Sequence, residues 1–280
     1  MKTSQLSDIG SEILKKSKVS SYLIDSEIIL SRILKTSREK LLTNQSIISA
    51  KNIIKFESKI ARRSKNEPIA YIFKTKEFMG LNFFVDQKSL IPRPETELLI
   101  EPIMKIFKNK KLFFLEIGIG SGCVMLSLLK HFKDSRGVGI DICKKTIKNC
   151  KINVKRLKLE NNCKLLHKSV DQINNTKFDL VISNPPYIVK RDIKRLSNDI
   201  KRFEPIIALD GGNDGLDVIK KVIYKSSKVL KLNGILALEI GYGQFRAVKN
   251  LLVTNNFKIK FVIKDYENNI RCIFSTLIKK

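Results

Sequence analysis

Residues 111–122 read KLFFLEIGIGSG, a short apolar run that ends in three glycines at alternate positions. The run has the length of a buried strand, and a helical pattern follows over 121–132. Glycine permits positive φ and lets a ligand approach the backbone. The first turn of a helix also presents free N–H groups that suit an anion. This stretch predicts a strand, a ligand-binding turn and a helix, although an ordinary strand-to-helix turn also fits.

The same alternation of strand and helix continues along the rest of the chain. Helical patterns lie over 143–158, 215–231 and 244–254, and two closing strands over 257–263 and 271–278. Further strands are predicted at 136–141, 163–168, 178–183 and 234–240. Alternation of this kind indicates an α/β fold with a parallel, doubly wound sheet covered on both faces.

The chain before the first glycine turn has a different pattern. Residues 1 to about 72 carry apolar side chains at helical spacing, and Pro68 is expected to end the last of these helices. Residues 76–92 alternate and contain Gly80, which favours a β-hairpin. We therefore predict three parts: a small N-terminal helical domain over 1–75, a hairpin connector over 76–94 and the α/β domain over 95–280.

The composition restricts the class of protein. Hydrophobic residues make up 43%, enough for a large core, and five scattered cysteines with two histidines predict no metal site. Neither a membrane span nor a signal peptide is visible, so we expect a cytoplasmic monomer. The net charge of +27 is compatible with weak contact to a polyanion or the ribosome. Compositional drift towards lysine explains the same charge.

Asp141 ends the second predicted strand of the α/β part. A carboxylate at this position can accept two hydrogen bonds from the hydroxyls of a ribose. Enzymes that bind dinucleotides share this arrangement, although their usual glycine spacing differs from the one here. The alternative is that Asp141 caps the helix that begins near Cys143.

Asn184-Pro185-Pro186-Tyr187 follows the fourth predicted strand, at the sheet edge where ligands of open α/β sheets bind. The prolines supply no N–H donors and stiffen the turn, so nearby carbonyls are free to accept hydrogen bonds. The Asn184 side-chain oxygen and the Pro185 carbonyl could each accept one hydrogen of an NH₂ group. Tyr187 could then pack flat against the planar group that carries it. A turn that merely contains two prolines is the simpler alternative.

Such a pair of acceptors suits methyl transfer from a sulfonium to an amide nitrogen. That nitrogen is a poor nucleophile, because its lone pair is delocalised into the carbonyl. Acceptors on both N–H bonds raise its electron density and fix its orientation, and positioning of this kind contributes roughly 7–11 kcal/mol in favourable cases. No strong base is needed beforehand, since the proton can leave after the transfer.

These features resemble the class I, Rossmann-like methyltransferases, and among them the PrmC/HemK family of peptide chain release factor glutamine methyltransferases. NPPY alone is shared with methyltransferases of DNA adenine and RNA guanine, and the combination with the flanking motifs is more specific. The stretches that carry the resemblance are EPIAYI (67–72), LIPRPETE (90–97), the glycine turn, Asp141, ISNPPYI (182–188), ALDGGNDGL (208–216) and EIGYGQ (239–244).

The resemblance implies a cofactor, a substrate and a set of roles. S-adenosyl-L-methionine would be the cofactor, and Asn184 to Tyr187 would hold the glutamine amide of a Gly-Gly-Gln loop in a release factor, with Asn184, Pro185 and Tyr187 as catalytic residues. The N-terminal helices would help to dock that protein. The cofactor would contact Glu116, Gly118, Ile119, Gly120, Ser121, Gly122, Asp141, Ser169 and Asn184.

Two positions depart from the family's pattern. Glu116 stands where the family usually has Asp, and this longer acid could still serve directly or through water. The family usually has an acid and then an apolar residue beside the adenine, where this chain has Lys168 and Ser169. We choose Ser169 by position.

Two other functions remain open from the sequence. An N-methyltransferase of an exocyclic amine in RNA or DNA fits both NPPY and the positive charge. A non-catalytic protein that binds ribosomes and retains an old fold is the third hypothesis. Labelling of the substrate separates the first two, and failure to bind S-adenosylmethionine would favour the third.

Overall fold

Helices form the first of two units in the computed structural model, which describes residues 1–43, 46–173 and 176–279. The first unit comprises residues 1–74 with 197–203, and the second comprises 75–196 with 204–280. The division into three domains that we predict from the sequence stays a prediction. The helices of residues 1–74 are α1 (Thr3–Lys16), α2 (Tyr22–Leu34), α3 (Arg38–Thr43), α4 (Ala50–Arg63) and α5 (Ile69–Phe73).

The core of the first unit combines apolar side chains with a buried ion pair. Leu14, Leu30 and Phe56 are among its fully buried side chains. Arg63 of α4 donates from Nε to Asp25 Oδ2 of α2 at 2.6 Å, and both side chains are only 10% exposed. The Ser21 hydroxyl donates to the same oxygen. The pair therefore joins two helices inside the unit.

The last helix of this unit differs from the expectation. Pro68 was expected to end a helix, and this is wrong, because α4 ends at Arg63 and α5 begins directly after Pro68. The Pro68 carbonyl accepts hydrogen bonds from Tyr71 and Ile72, and proline needs no N–H partner at a helix start.

The second unit begins with a short hairpin and continues with a 3₁₀ helix. β1 (Lys76–Phe78) and β2 (Leu81–Phe83) pair antiparallel, so the predicted hairpin is present but shorter than 76–92. A 3₁₀ helix over Pro94–Leu99 leads into α6 (Ile100–Ile106). Both lie before the first strand of the large sheet.

Strands and helices then alternate over most of the chain, as predicted. In order they are β3 (Phe113–Ile117), α7 (Cys123–His131), β4 (Arg136–Asp141), α8 (Lys144–Arg156), β5 (Cys163–His167), β6 (Phe178–Ser183), α9 (Asn198–Phe203, part of the first unit), α10 (Asp217–Val229), β7 (Leu230–Glu239), α11 (Phe245–Thr254), β8 (Phe257–Lys264) and β9 (Ile270–Leu277). Two strands follow in succession at β5–β6 and at β8–β9.

The large sheet has the strand order β5-β4-β3-β6-β7-β9-β8. Its first five strands are parallel, and β9 and β8 pair antiparallel at one edge. Two separate apolar clusters pack in the unit, the larger around α7 and the other around α10. The expected α/β sheet is confirmed, and its closing pair makes it mixed rather than wholly parallel.

The strand order places a topological switch between β3 and β6. Successive crossovers run from β3 towards β5 on one side and from β6 towards β7 on the other. Ile117 is the register partner of Ser183, so both strands end at the same level. The glycine turn and Asn184 therefore start side by side, at the sheet edge where α/β proteins bind ligands.

None of the helices in the described part of the chain combines the length and the apolar character required to cross a bilayer.

Candidate active site

The turn after β3 is built around glycines with left-handed backbone. Gly118 has φ +76° and Gly120 has φ +56°, and a Cβ added at Gly118 would meet no atom within 4 Å. The N–H groups of Gly118 and Ile119 both donate to the Ile140 carbonyl of β4. The turn is therefore fixed to the neighbouring strand, while its glycines leave open space that a ligand can enter.

Asp141 is held by two backbone donors. Its Oδ2 accepts from Gly120 N at 3.2 Å and its Oδ1 from Cys143 N at 2.8 Å. Burial raises the pKa of Asp141, and these N–H groups act in the opposite direction. One carboxylate thus joins the glycine turn to the start of α8. Its remaining lone pairs can accept from a ligand, so the capping role and the ligand role are compatible.

Glu116 is buried at the end of β3. Its Oε2 accepts from Met125 N of α7 at 2.8 Å. Burial raises the pKa of this carboxyl well above its ordinary value, and that hydrogen bond works against the shift. The longer acid therefore reaches across the turn to α7.

A cavity of about 510 Å³ opens at this edge of the sheet. The wall includes most of the residues that we expected to bind the cofactor, together with Pro186 of the turn after β6: Glu116, Gly118, Ile119, Gly120, Ser121, Asp141, Asn184 and Pro186. Gly122, Ser169, Pro185 and Tyr187 lie next to wall residues in the chain but are not part of the wall. Their roles stay predictions.

Several wall residues carried no expectation from the sequence. Ile142 and Val170 add apolar surface near Asp141. Lys168, which the family resemblance already placed beside the adenine, is also part of the wall. Residues 205–208 close another part of the wall, where Ile206 and Ile207 are about half exposed. No sequence signal singled out this apolar pair, because its place on the wall follows from the fold.

Asn184 stands at the end of a buried hydrogen-bond chain. Its Nδ2 donates to Thr96 Oγ1 at 3.0 Å, and Thr96 Oγ1 donates to Glu239 Oε2 at 2.7 Å. The Tyr187 hydroxyl donates to Glu239 Oε1 at 3.4 Å. Thr96 is 3% exposed and Glu239 1%. Asn184 and Tyr187 therefore both depend on one carboxylate at the end of β7.

Gln244 holds the backbone on the other side of the NPPY turn. Its Nε2 donates to the carbonyls of Tyr187 and Gly215, each at 3.0 Å, and its Oε1 accepts from Gly241 N at 2.9 Å. A Cβ at Gly215 would lie 2.6 Å from the Tyr187 carbonyl oxygen. Three separate segments are therefore packed together at this point, which explains why the ALDGGNDGL and EIGYGQ stretches accompany NPPY.

The loop of residues 90–97 is attached to the same unit by Glu204. Arg93 donates from Nη2 to Glu204 Oε1 at 2.6 Å, and Ile91 N donates to Oε2 at 3.2 Å. Arg93 also lines the cavity. This stretch carried part of the family resemblance without a role of its own, and the ion pair with Glu204 now supplies a structural one.

The donor set of the cavity fits a nucleoside cofactor with an amino acid tail. The open glycine turn suits close backbone contact, Asp141 suits a pair of hydroxyls, and Ile142 with Val170 suits a flat apolar base. Asn184 lies on the same wall and brings an amide side chain to the cavity. The arrangement can thus hold a cofactor beside a second group that reacts with it.

Comparison with known proteins gives two family matches. The model described as PrmC N-terminal domain matches residues 5–73, and the model described as methyltransferase small domain matches residues 94–201. A release factor glutamine methyltransferase of Clostridium acetobutylicum is 38% identical over 270 residues, covering 94% of each chain. One from Buchnera aphidicola is 38% identical over 252 residues, covering 89% of this chain and 90% of that one.

Solved structures share the fold at much lower identity. A methyltransferase from Pyrococcus furiosus has a TM-score of 0.55 at 17% identity, covering 80% of this chain and 98% of its own. A 16S rRNA N2 G1207 methyltransferase of T. thermophilus, solved with AdoMet and guanosine, has a TM-score of 0.52 at 16% identity. That match covers 73% of this chain and 50% of the other. The shared feature is the sheet with its covering helices.

Proposed function

The chain belongs to the family of release factor glutamine methyltransferases, and on this premise we propose that it methylates the side-chain amide nitrogen of the Gly-Gly-Gln glutamine in peptide chain release factors. We propose S-adenosyl-L-methionine as the methyl donor. The observation that carries the proposal is the register of β3 and β6, which starts the glycine turn and Asn184 side by side on one cavity.

The cofactor end of the cavity has a role for each group on its wall. S-adenosylmethionine, when bound, supplies a methyl group on a sulfonium. The turn from Gly118 to Gly122, with Ile119 and Ser121, would hold its methionine part, and Glu116 would support that turn. Asp141 accepts from the ribose hydroxyls. Ser169, with Ile142 and Val170 nearby, marks the place of the adenine.

The substrate end holds the glutamine amide. Asn184 Oδ1 and the Pro185 carbonyl each accept one N–H of the amide, Pro186 stiffens the turn, and Tyr187 packs against the amide plane. These acceptors would stabilise positive charge that develops on the amide nitrogen during methylation. The same contacts would fix the orientation of that nitrogen towards the methyl donor. The proton leaves after the transfer.

Asp141→Ala is expected to weaken S-adenosylmethionine binding by about 2 kcal/mol, or roughly 30-fold, because two hydrogen bonds to a charged acceptor are lost. Isothermal titration calorimetry measures this directly. Asp134→Ala, a change at an exposed aspartate in the turn before β4, is the matched control and should bind as wild type does. Equal affinity of the two variants would remove Asp141 from the cofactor site.

The substrate is tested by methyl labelling. We expect purified protein with radiolabelled S-adenosylmethionine and a release factor to label the Gly-Gly-Gln glutamine, as mapped by peptide mass spectrometry. A release factor with Gln→Ala in that motif should stay unlabelled. Label that persists in that variant, or label found in RNA or DNA from a cell extract, contradicts the proposal and supports the alternative of exocyclic amine methylation.

Three further properties stay predictions. We propose that the chain acts in the cytoplasm, where release factors act on ribosomes. The net charge of +27 supports weak contact with a polyanion or the ribosome, and such binding should weaken steeply with added salt. We also propose that the protein works as a monomer, which sedimentation equilibrium measures.

A further inference from the structure

We propose that Thr96 and Glu239 are positioning residues that fix the Asn184 amide with its oxygen, and not its NH₂ group, towards the substrate. The inference rests on the proposed function, because it concerns the acceptor that grips the glutamine amide. It assigns a task to two residues from stretches that flank the NPPY turn in space but not in sequence.

The direction of the hydrogen bonds between Asn184, Thr96 and Glu239 follows from the number of hydrogens that each group carries. A threonine hydroxyl carries one hydrogen and can also accept. The ionised Glu239 carboxylate only accepts, so the Thr96 hydrogen is directed to Glu239 Oε2, 2.7 Å away. Thr96 Oγ1 is then left as an acceptor, and Asn184 Nδ2 donates to it at 3.0 Å. The carboxylate thus determines which end of the Asn184 amide faces Thr96.

The opposite orientation of the amide is unfavourable for two reasons. Asn184 Oδ1 would face the lone pairs of Thr96 Oγ1, with no hydrogen between the two oxygens. Asn184 Nδ2 would face the cavity and would meet the NH₂ group of the substrate donor to donor. Because Thr96 is only 3% exposed, the lost hydrogen bond leaves a buried polar group without its partner, which is costly. The buried hydrogen bonds from Asn184 to Glu239 therefore favour the orientation in which Asn184 Oδ1 accepts from the substrate.

Glu239 also holds the second functional side chain of the turn. Its other oxygen, Oε1, accepts from the Tyr187 hydroxyl at 3.4 Å. One carboxylate at the end of β7 is thereby connected to both Asn184 and Tyr187. The charge on Glu239 therefore helps to position both the Asn184 amide and the Tyr187 ring.

Because Glu239 ionises, the orientation of the Asn184 amide should depend on pH. Burial raises the pKa of Glu239 to about 7, while the Thr96 hydrogen bond, Arg271 and Tyr187 act to lower it and Glu95 to raise it further. Burial and, to a lesser degree, the charge of this carboxyl raise the pKa of the Cys272 and Cys123 thiols. A protonated Glu239 can donate to Thr96 Oγ1, which frees the Thr96 hydrogen for Asn184 Oδ1. The unproductive orientation then becomes accessible, so turnover should fall as the pH drops through about 7.

The test compares Thr96→Val with Thr96→Ser in the full chain, using labelled S-adenosylmethionine and a release factor. Thr96→Val should lower kcat roughly 10–30-fold, because the buried amide loses its acceptor, while the Kd for S-adenosylmethionine stays within about twofold. Thr96→Ser keeps the hydroxyl and should restore most of the turnover. Thr254→Val, at an exposed threonine on α11, is the matched control and should act as wild type.

The pH profile supplies the second measurement. Wild-type kcat should rise with an apparent pKa near 7, and Glu239→Gln should flatten this rise because the group no longer titrates. The inference is overturned if Thr96→Val keeps wild-type kcat, if Thr96→Ser is as impaired as Thr96→Val, or if cofactor binding falls as much as turnover. A wild-type protein that labels no glutamine would instead refute the proposed function.

Discussion

Asn184→Ala should lower the turnover of release factor methylation by about 10²–10³-fold, the loss typical of a single hydrogen-bonding group that acts on the transition state. S-adenosylmethionine binding should stay within about threefold of wild type, since Asp141 and the glycine turn remain intact. Single-turnover labelling gives the rate, and calorimetry gives the affinity. Truncation also leaves Thr96 without its donor, which adds a small structural cost.

Asn250→Ala provides the matched control, because this asparagine lies exposed on α11 and the substitution is chemically identical. It should change neither the rate nor the affinity. If Asn184→Ala binds the cofactor far more weakly while its remaining rate at saturation is normal, Asn184 belongs to the cofactor site alone. The assignment of the substrate amide to the NPPY turn would then be wrong.

Asp25→Ala should destabilise the first unit by about 3–5 kcal/mol, because it leaves the Arg63 guanidinium buried without its counter-charge. The carboxylate also accepts from Ser21, so two donors lose their partner. Hydrogen exchange of the amides in α2 and α4 reports the opening free energy of this unit separately from the sheet.

Glu101→Ala is the comparison for this second prediction. Its ion pair with Lys105 has a similar length, 2.6 Å, but both side chains are more than 70% exposed. Solvent screens such pairs, so their removal changes stability little. If the amides of α2 and α4 are equally protected from exchange in the two variants, the buried ion pair of Arg63 and Asp25 does not contribute the stability that we expect from its burial.

The helices and strands could be predicted from local patterns because the spacing of apolar residues differs between a helix and a strand. The strand of residues 136–141 and the strand of residues 178–183 were predicted at their observed bounds. The closing strands were also recognised, but the antiparallel position of β9 between β7 and β8 was not. Strand order is decided by the packing of whole elements, which short sequence windows do not contain.

The candidate site was predictable where neighbours in sequence act together, as in the glycine turn and NPPY. Thr96 and Glu239 are 143 residues apart, and their hydrogen bond left no sign in either stretch. The PETE segment carried part of the family resemblance, but nothing in it gave Thr96 a role. Likewise, Ile206 and Ile207 line the cavity only because the chain folds back beside it.

Gln244 is a glutamine of the protein itself whose hydrogen bonds resemble those that we propose for the substrate glutamine. The NH₂ group of this glutamine is gripped by two carbonyl oxygens, each at 3.0 Å, in the manner proposed for the visiting glutamine. Both of its hydrogens are engaged, but Gln244 is not part of the cavity wall, so this side chain does not meet the cofactor. These two N–O distances can be compared with those of a bound release factor glutamine. Similar distances would mean that the substrate is recognised by the same hydrogen-bonding pattern that holds the enzyme's own loops together.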